Sequence, residues 1–300
     1  MDFGEGSSPA GYLPRSRLVS ISGVAICDAG HGMAAHEEMW VKLELTEERM
    51  LLNFPVLMFF PSVLLLWLSA QYGASLRRRR PLKEEERDDF GIVQTATLTL
   101  LGLIIGFSFS MAVSRYDLRK NYEEAEANAI GTEYVRAGLL PAKDAAAVQA
   151  QLTKYTDLRI LFYRTRWERD LRQINADTAQ LQTEMWSAVQ APALAQPTPV
   201  IALAVAGMND VLNSQGYTQA AWWNRIPVAA WVLLLVTAIC CNVLVGYGAR
   251  GAGISAGLFT VLPVVVSISF LLIADIDSPR GGLIHVAPQN LVSLSESLPK

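Results

Sequence analysis

Few residues have the types and spacing that chemistry requires. His31 and His36 lie five residues apart in a glycine-rich stretch, which is a poor spacing for a metal site on a helix. Cys240 and Cys241 are adjacent within an apolar run, where thiols without a nearby base act as small apolar residues. The sequence contains no P-loop, dinucleotide-binding glycine fingerprint, HExxH or Gly-x-Ser-x-Gly motif. We therefore expect no enzyme activity, no metal and no cofactor.

Two other patterns have alternative interpretations. Asp275 and Asp277 follow a long apolar run, where carboxylates act either as functional groups at the membrane edge or as solvated residues at a helix end. Gly102 and Gly106 form a small-xxx-small pattern inside another apolar run. This pattern favours close helix packing, and the alternative is that it leaves room beside a pore.

The elements that must position these residues follow from composition. Half of the chain is hydrophobic (51%), only 18% is charged, and the mean hydropathy is +0.26. Soluble domains carry about 25% charged residues. The net charge of −3 gives no reason to expect a nucleic-acid partner. The composition therefore indicates a protein whose main partner is the lipid bilayer.

Four long windows without Asp, Glu, Lys or Arg predict four transmembrane helices, since a helix needs about 20 apolar residues to cross a bilayer. Their apolar cores are residues 51–68, 92–113, 226–245 and 254–274. We predict an all-α fold with four transmembrane helices and a helical domain inserted between the second and third. The predicted parts are a flexible N-terminal tail or misassigned start (1–49), transmembrane helices 1 and 2 with a basic loop (50–113), the helical extramembrane domain (114–224), transmembrane helices 3 and 4 (225–275) and a C-terminal tail (276–300).

Within 114–224, apolar residues recur at helical spacing and predict four helices. The first continues directly from the second transmembrane helix. The expected ranges are 115–139, 142–166, 167–190 and 200–221. The stretch with Pro192, Pro197 and Pro199 is predicted to be a linker. A tight glycine-rich turn is expected at 247–253.

The side of the membrane is less well defined by the sequence. Arginines 77–80 slightly favour a cytoplasmic position for the loop 74–89, because basic residues near transmembrane helices set orientation. That position would place 114–224 on the other side of what we expect to be a bacterial inner membrane. Arg115, Arg119 and Lys120 flank the opposite end of the second helix and leave the alternative open.

The second transmembrane helix and its continuation carry a family resemblance. Gly106-Phe107 is followed by Ser114-Arg115-Tyr116, then by the sequence from Glu126 to Thr132, and Asp275, Asp277, Pro279 and Gly282 follow the fourth helix. This arrangement resembles a family of four-span membrane proteins with a bestrophin-like domain, over about residues 50–292. More distantly it is similar to the bestrophins, which are pentameric anion channels lined by their second helix.

The resemblance implies a pore site. In bestrophins a hydrophobic neck uses three apolar residues four apart on the second helix, and here these positions are Thr99, Leu103 and Phe107. Ser108 and Ser110 could supply hydroxyl donors to a dehydrating anion. The chain departs from the pattern at the polar Thr99 and in lacking an acidic run after Pro279, so we do not expect calcium gating.

Two functions remain open at this point. The first is a homo-oligomeric anion channel, conducting chloride or another small anion through a pore lined by transmembrane helix 2. The second is a non-conducting membrane anchor whose helical domain, 114–224, binds an unknown protein partner or senses the state of the envelope. In the bestrophins the large helical insertion is cytosolic, which conflicts with the orientation favoured by the arginines.

Overall fold

The computed structural model describes residues 55–249 and 257–299, and every regular element in these ranges is helical. A single 3-10 turn, Glu84–Glu86, precedes the second helix. The α-helices are α1 (Pro55–Arg79), α2 (Arg87–Ala137), α3 (Ala142–Arg164), α4 (Glu168–Ala195), α5 (Pro199–Trp223), α6 (Val228–Gly248), α7 (Leu258–Asp277) and α8 (Gln289–Ser297). The predicted all-α fold is confirmed for these residues. The predicted tail 1–49, with His31 and His36, lies outside them, as do residues 250–253 of the predicted turn.

Four helices are long and apolar enough to cross a membrane, which confirms the predicted number among the described residues. They are α1, the first half of α2, α6 and α7. We call residues 87–113 of α2 together with α1, α6 and α7 the membrane bundle. Its interior is made mainly of apolar side chains, including Leu66, Leu101, Leu234 and Phe270. Large apolar residues also cover its outside, as expected of helices surrounded by lipid.

Two glycines allow α1 and α6 to pack with their backbones in contact. A Cβ atom at Gly246 would overlap the carbonyl of Ala70, and one at Gly73 would overlap the carbonyl of Val243. Small residues permit this close approach between transmembrane helices. The small-residue contact of this fold is therefore between α1 and α6.

Helix α2 is continuous for 51 residues because no proline interrupts it before Pro141. From Leu101 to Ala137 its buried residues recur mainly at spacings of three, four and seven, so one side of this part of the helix faces the protein. We call residues 115–137 of α2 together with α3, α4, α5 and α8 the distal bundle. Its core includes Ile130, Leu152, Tyr155, Met185 and Met208.

The predicted proline linker is wrong at its first residue. Pro192 lies inside α4, and the helix continues to Ala195. A proline is tolerated there because the helix ends within a turn, where the Gln196 N–H donates to the Pro192 carbonyl at 2.9 Å. Pro199 begins α5, a position that suits proline. The linker is therefore only residues 196–198.

The segment expected to be a C-terminal tail contains α8. Its start is fixed by Glu123 of α2, whose carboxylate accepts from the Leu291 N–H at 3.0 Å and from the Asn290 side chain at 2.6 Å. A carboxylate at a helix N-terminus satisfies free N–H groups and complements the helix dipole. Leu291 is fully buried in the distal core, which attaches the segment to the bundle.

Candidate functional site: the outward face of α2

The predicted neck residues share one exposed side of α2. Leu103 is 52% exposed and Phe107 is 65% exposed, and Thr99 is exposed on the same side one turn earlier. The Thr99 hydroxyl donates to the Thr95 carbonyl at 2.9 Å, so it is satisfied by its own helix. Gly106, Ser110 and Ser114 are exposed on the same side. We call residues 99, 103, 106, 107, 110 and 114 the outward face.

The two candidate serines lie on opposite sides of α2. Ser110 belongs to the outward face, whereas Ser108 is only 6% exposed and lies on the side that packs in the membrane bundle. They are two residues apart, and on an α-helix this spacing directs two side chains to nearly opposite sides of the axis. The structure therefore brings Thr99, Leu103, Phe107 and Ser110 together and separates Ser108 from them.

Gly102 and Gly106 do not pack against another helix in the part of the chain that the structure describes. A Cβ atom at Gly102 or Gly106 would have no neighbouring atom within 4 Å. The close packing that we favoured for this pattern is thus not found among the described residues. The space beside both glycines is available to lipid, to another copy of the chain or to a pore.

The outward side of α2 changes character beyond the membrane bundle. Asp117, Asn121, Glu124 and Asn128 are exposed there, at the same helical spacing of three or four residues. The only basic side chain exposed on this stretch of α2 is Lys120, toward the edge of the face. Two carboxylates therefore extend the line of the outward face, a feature that the sequence analysis did not identify.

The arginine of the predicted motif joins the ends of three transmembrane helices. Arg115 of α2 lies 3.5 Å from the Asp277 carboxylate at the end of α7. That carboxylate also accepts from the Ile226 N–H, just before α6, at 3.0 and 3.2 Å. Arg119, one turn along α2, donates to the carbonyls of Ile276 and Asp277 at 3.2 and 2.9 Å. Tyr116 is half-buried and packs against the distal core and against a small apolar cluster formed by Ala112, Ile226, Ile273 and Ile276.

The Asp275 side chain, at the end of α7, binds the backbone of the chain segment that follows this helix. Its two carboxylate oxygens accept from the N–H groups of Leu283 and Ile284, both at 2.8 Å. A Cβ atom at Gly282 would lie 2.9 Å from Asp275 Oδ1, so only glycine fits there. Pro279 lies in the turn between them. Both aspartates are buried, so the interpretation that they are solvated is wrong, and their observed contacts are structural.

A second charged pair fixes the distal bundle. The Glu126 carboxylate of α2 pairs with the fully buried Arg159 guanidinium of α3. Glu126 also accepts from Tyr163 at 3.3 Å and from Thr218 of α5 at 3.1 Å. Burial, reinforced by the Glu126 charge, raises the pKa of Tyr163 well above its usual range, which keeps its hydroxyl protonated as a donor. This network ties three helices to one carboxylate.

Another buried carboxylate has no such partner. Both oxygens of Glu133 on α2 are buried without a hydrogen bond among the described residues. Burial raises the pKa of Glu133 to about 8, while Arg136 opposes the shift and Asp210 adds to it. Gly207 of α5 makes room for the side chain, since a Cβ atom there would overlap Glu133 Oε2. Glu133 therefore titrates near neutral pH.

A metal site is not found in the described ranges, 55–249 and 257–299, because no three His, Cys, Asp or Glu side chains are grouped there. Cys240 is exposed on the membrane bundle, and Cys241 is buried, with its thiol 3.4 Å from the Thr97 carbonyl. The outward face carries side chains suited to contact with ions and water. The buried clusters instead hold the helices in register.

Comparisons with known proteins identify the family of the chain. Residues 57–291 match a family model described as a Bestrophin-like domain. No curated protein matches the chain significantly.

Solved structures show the same fold. One is a bacterial bestrophin homologue from Klebsiella pneumoniae, with a TM-score of 0.55 and 16% identity, covering 81% of this chain and 99% of that chain. Another is described only as a membrane protein, with a TM-score of 0.56 and 14% identity, covering 81% of this chain and 95% of the other. At these identities the likeness concerns the fold alone.

Proposed function

The chain belongs to the Bestrophin-like domain family, and from that premise we propose that this integral membrane protein is a homo-oligomeric channel lined by the outward face of α2. The observation that carries the proposal is the composition of this face. Small and polar residues, Thr99, Gly106, Ser110 and Ser114, alternate with Leu103 and Phe107 on a side that no other described helix covers. In membranes, small and hydroxyl-bearing residues are enriched where helices meet rather than where they face lipid.

Helix α1 provides the contrast within the same bundle. Phe60 and Leu64 lie four residues apart and are 69% and 56% exposed, much like Phe107 and Leu103. Their neighbours on α1 are apolar, as lipid contact requires. A pore lined by one helix from each chain needs several copies, so the proposal requires an oligomer.

The proposed neck is formed by Leu103 and Phe107 from each copy. Rings of apolar side chains close a narrow pore by excluding water, and small rotations of the helix open it. Thr99 and Ser110 lie one turn to either side and present hydroxyl groups to an ion that has lost part of its water shell. The family resemblance makes chloride or another small anion the leading choice of permeant ion.

A specific observation favours a second candidate, cation conduction. Asp117 and Glu124 continue the outward face beyond the membrane bundle, and in an oligomer they would form acidic rings around the ion path. Rings of carboxylates attract cations and repel anions. The reversal potential in a potassium chloride gradient distinguishes the two, because its sign reports which ion crosses faster.

The experiment is chloride efflux from liposomes that contain the purified protein, compared with empty liposomes. The variant Leu103→Ala/Phe107→Ala widens the proposed neck and should raise the flux. Phe60→Ala/Leu64→Ala is the matched control, since it removes the same side chains at the same spacing and exposure from α1. Equal flux from both variants would contradict a pore on the outward face.

The measurement also separates the channel from the membrane anchor. A folded, inserted protein that remains monomeric in mild detergent and passes neither chloride nor potassium, even in the widened variant, would leave only the anchor. Cation flux without chloride flux would retain the pore and change its selectivity. Flux of chloride that increases in the neck variant alone supports the leading proposal.

A further inference from the structure

A basic cleft lies on the distal bundle, apart from the outward face of α2. It has a volume of about 460 Å³. The end of α3 and the turn after it form one wall, and the segment after α7 with the start of α8 forms the other. Clefts of this size accommodate small organic molecules.

The charges around the cleft are unbalanced. Arg164, Arg166 and Arg280 line it, with Glu296 as the single carboxylate and His285 as a further donor. Among the described residues, none of the three arginines lies within 4.0 Å of a carboxylate oxygen. Among the lining side chains, three guanidinium groups and one carboxylate leave an excess of two positive charges at neutral pH, and Glu168 lies near Arg280 outside the lining.

Arg280 is held in a fixed position at the back of the cleft. One guanidinium nitrogen, Nη1, donates to the carbonyls of Phe162 and Thr165, both at 2.7 Å. The group also lies over the rings of Phe162 and Trp222, 4.5 and 4.2 Å from their centroids. A guanidinium that is already ordered loses little conformational entropy when it binds an anion.

The surroundings of Arg280 do not neutralise its charge. Burial, together with the charge of nearby Arg159, lowers the pKa of Arg280 to about 10, against the opposing effect of Glu168. The group stays protonated at neutral pH, so the cleft keeps a partly desolvated cation. A bound anion would relieve this cost.

We propose that this cleft binds a phosphate monoester. Such a group carries about −1.5 to −2 charges at pH 7, which matches the excess of positive charge. Its three oxygens accept hydrogen bonds from several guanidinium groups at once, in the paired geometry that arginine provides. A single carboxylate would neutralise only half of the excess.

The position of the cleft allows two sources for this group. Arg280 follows the end of α7 by three residues, and Trp222 lies just before α6, so the cleft is close to the membrane boundary. The monoester is therefore either the headgroup of phosphatidic acid or a soluble phosphorylated metabolite. Both present the same chemistry to the arginines.

The test measures binding to the purified full-length protein in two arms. The soluble arm titrates glycerol 3-phosphate by calorimetry, with succinate as the dicarboxylate comparison. The lipid arm measures retention of phosphatidic acid, against phosphatidylcholine, by the protein in mixed nanodiscs. We expect wild-type protein to bind the phosphate monoester in at least one arm, and to bind it more tightly than succinate.

Arg164→Gln/Arg166→Gln is the main variant, because Arg280 also holds the backbone and its replacement could prevent folding. Each lost arginine contact should weaken binding about tenfold. Arg169→Gln/Arg172→Gln is the matched control, since it removes two exposed charges from the adjacent helix α4, outside the cleft. The control should bind within about twofold of wild type.

Three results would overturn the proposal. They are binding in neither arm, succinate binding as tight as the monoester, and an equal loss of affinity in the cleft and control variants. Binding in only one arm supports the site and identifies the source of the ligand. The result is independent of ion conduction, because no residue of the outward face takes part.

Discussion

The two halves of α2 differ in what they bury. In the membrane bundle its protein-facing side carries Leu101, Ser108 and Ala112, without a charged residue. In the distal bundle the same side carries Arg119, Glu123, Glu126 and Glu133, all buried. Charges are costly within a bilayer, so the membrane half relies on apolar and small-residue contacts. The distal half buries ionisable side chains, and Arg119, Glu123 and Glu126 each have a partner in position, whereas Glu133 has none among the described residues.

On α2, the residues that stabilise the fold and those of the proposed ion path lie on different sides of the helix. On both halves the buried side sets the fold, and the exposed side carries the features that an ion would meet. Substitutions on the buried side should therefore act mainly on stability, and those on the exposed side on conduction. The following predictions test this separation.

The largest effect is expected at the buried ion pair of the distal half. Glu126→Ala leaves Arg159 as an uncompensated buried charge and should cost about 3–5 kcal/mol of the free energy of unfolding. Glu124→Ala, two residues away on the exposed side, should change it by less than about 0.5 kcal/mol. Thermal unfolding in detergent measures both, and similar melting temperatures for the two variants would contradict the comparison.

The next effect contrasts two kinds of glycine in the membrane bundle. Gly246→Ala places a methyl group against the Ala70 carbonyl, so α1 and α6 must separate at a cost of about 1–3 kcal/mol. Gly106→Ala adds a methyl group to open space and should not lower the stability of the single chain. Thermal unfolding in detergent measures the stability of both variants. A larger loss of stability in Gly106→Ala than in Gly246→Ala would show that Gly106 is not exposed.

Glu133 gives the distal half a dependence on pH. Its pKa is raised from 4.5 to about 8 in the folded protein, so the folded state favours the protonated form. This contribution is complete below about pH 4.5 and is lost as the pH rises through about 8. Glu133→Gln, which does not titrate, should therefore gain stability relative to wild type as the pH rises from about 5 to about 9. A constant difference between the two proteins across this range, measured by thermal unfolding, would show that Glu133 is ionised in the fold.

The smallest expected effect concerns selectivity and rests on the proposed pore. Asp117→Asn/Glu124→Gln removes the proposed acidic rings and should raise the chloride-to-potassium permeability ratio a few-fold, without loss of stability. Asp177→Asn/Glu184→Gln removes two exposed carboxylates from α4 and should leave the ratio unchanged. Reversal potentials in a potassium chloride gradient report the ratio, and equal values in both variants would exclude these rings from the ion path.

The sequence was sufficient to locate the transmembrane helices, but it did not show which side of each helix is buried. Charge-free windows located the four transmembrane helices, because the cost of charge in a bilayer acts on each window separately. The spacing of Thr99, Leu103 and Phe107 predicted that they share one side of α2. It did not predict that this side is the exposed one. A helix that is apolar all round gives no indication of which side meets the protein, and so Ser108 and Ser110 could not be distinguished.

The buried charges were missed for a different reason. Glu126 and Arg159 are 33 residues apart, and Arg119 bonds to carbonyls more than 150 residues away. No local pattern marks such pairs, although the continued spacing of three and four residues through Arg119, Glu123 and Glu126 is a signal that the buried side of α2 extends into the distal half. Helix α8 was missed because its start depends on the carboxylate of Glu123 rather than on its own short sequence.

The unbroken length of α2 has a mechanical consequence. At about 1.5 Å per residue its 51 residues form a rod of roughly 75 Å, with no proline or kink at which bending could concentrate. A tilt of the distal end by about five degrees therefore displaces the opposite end by several ångströms if the helix pivots near its middle. A force that tilts the distal bundle therefore also displaces the part of α2 that lies within the bilayer.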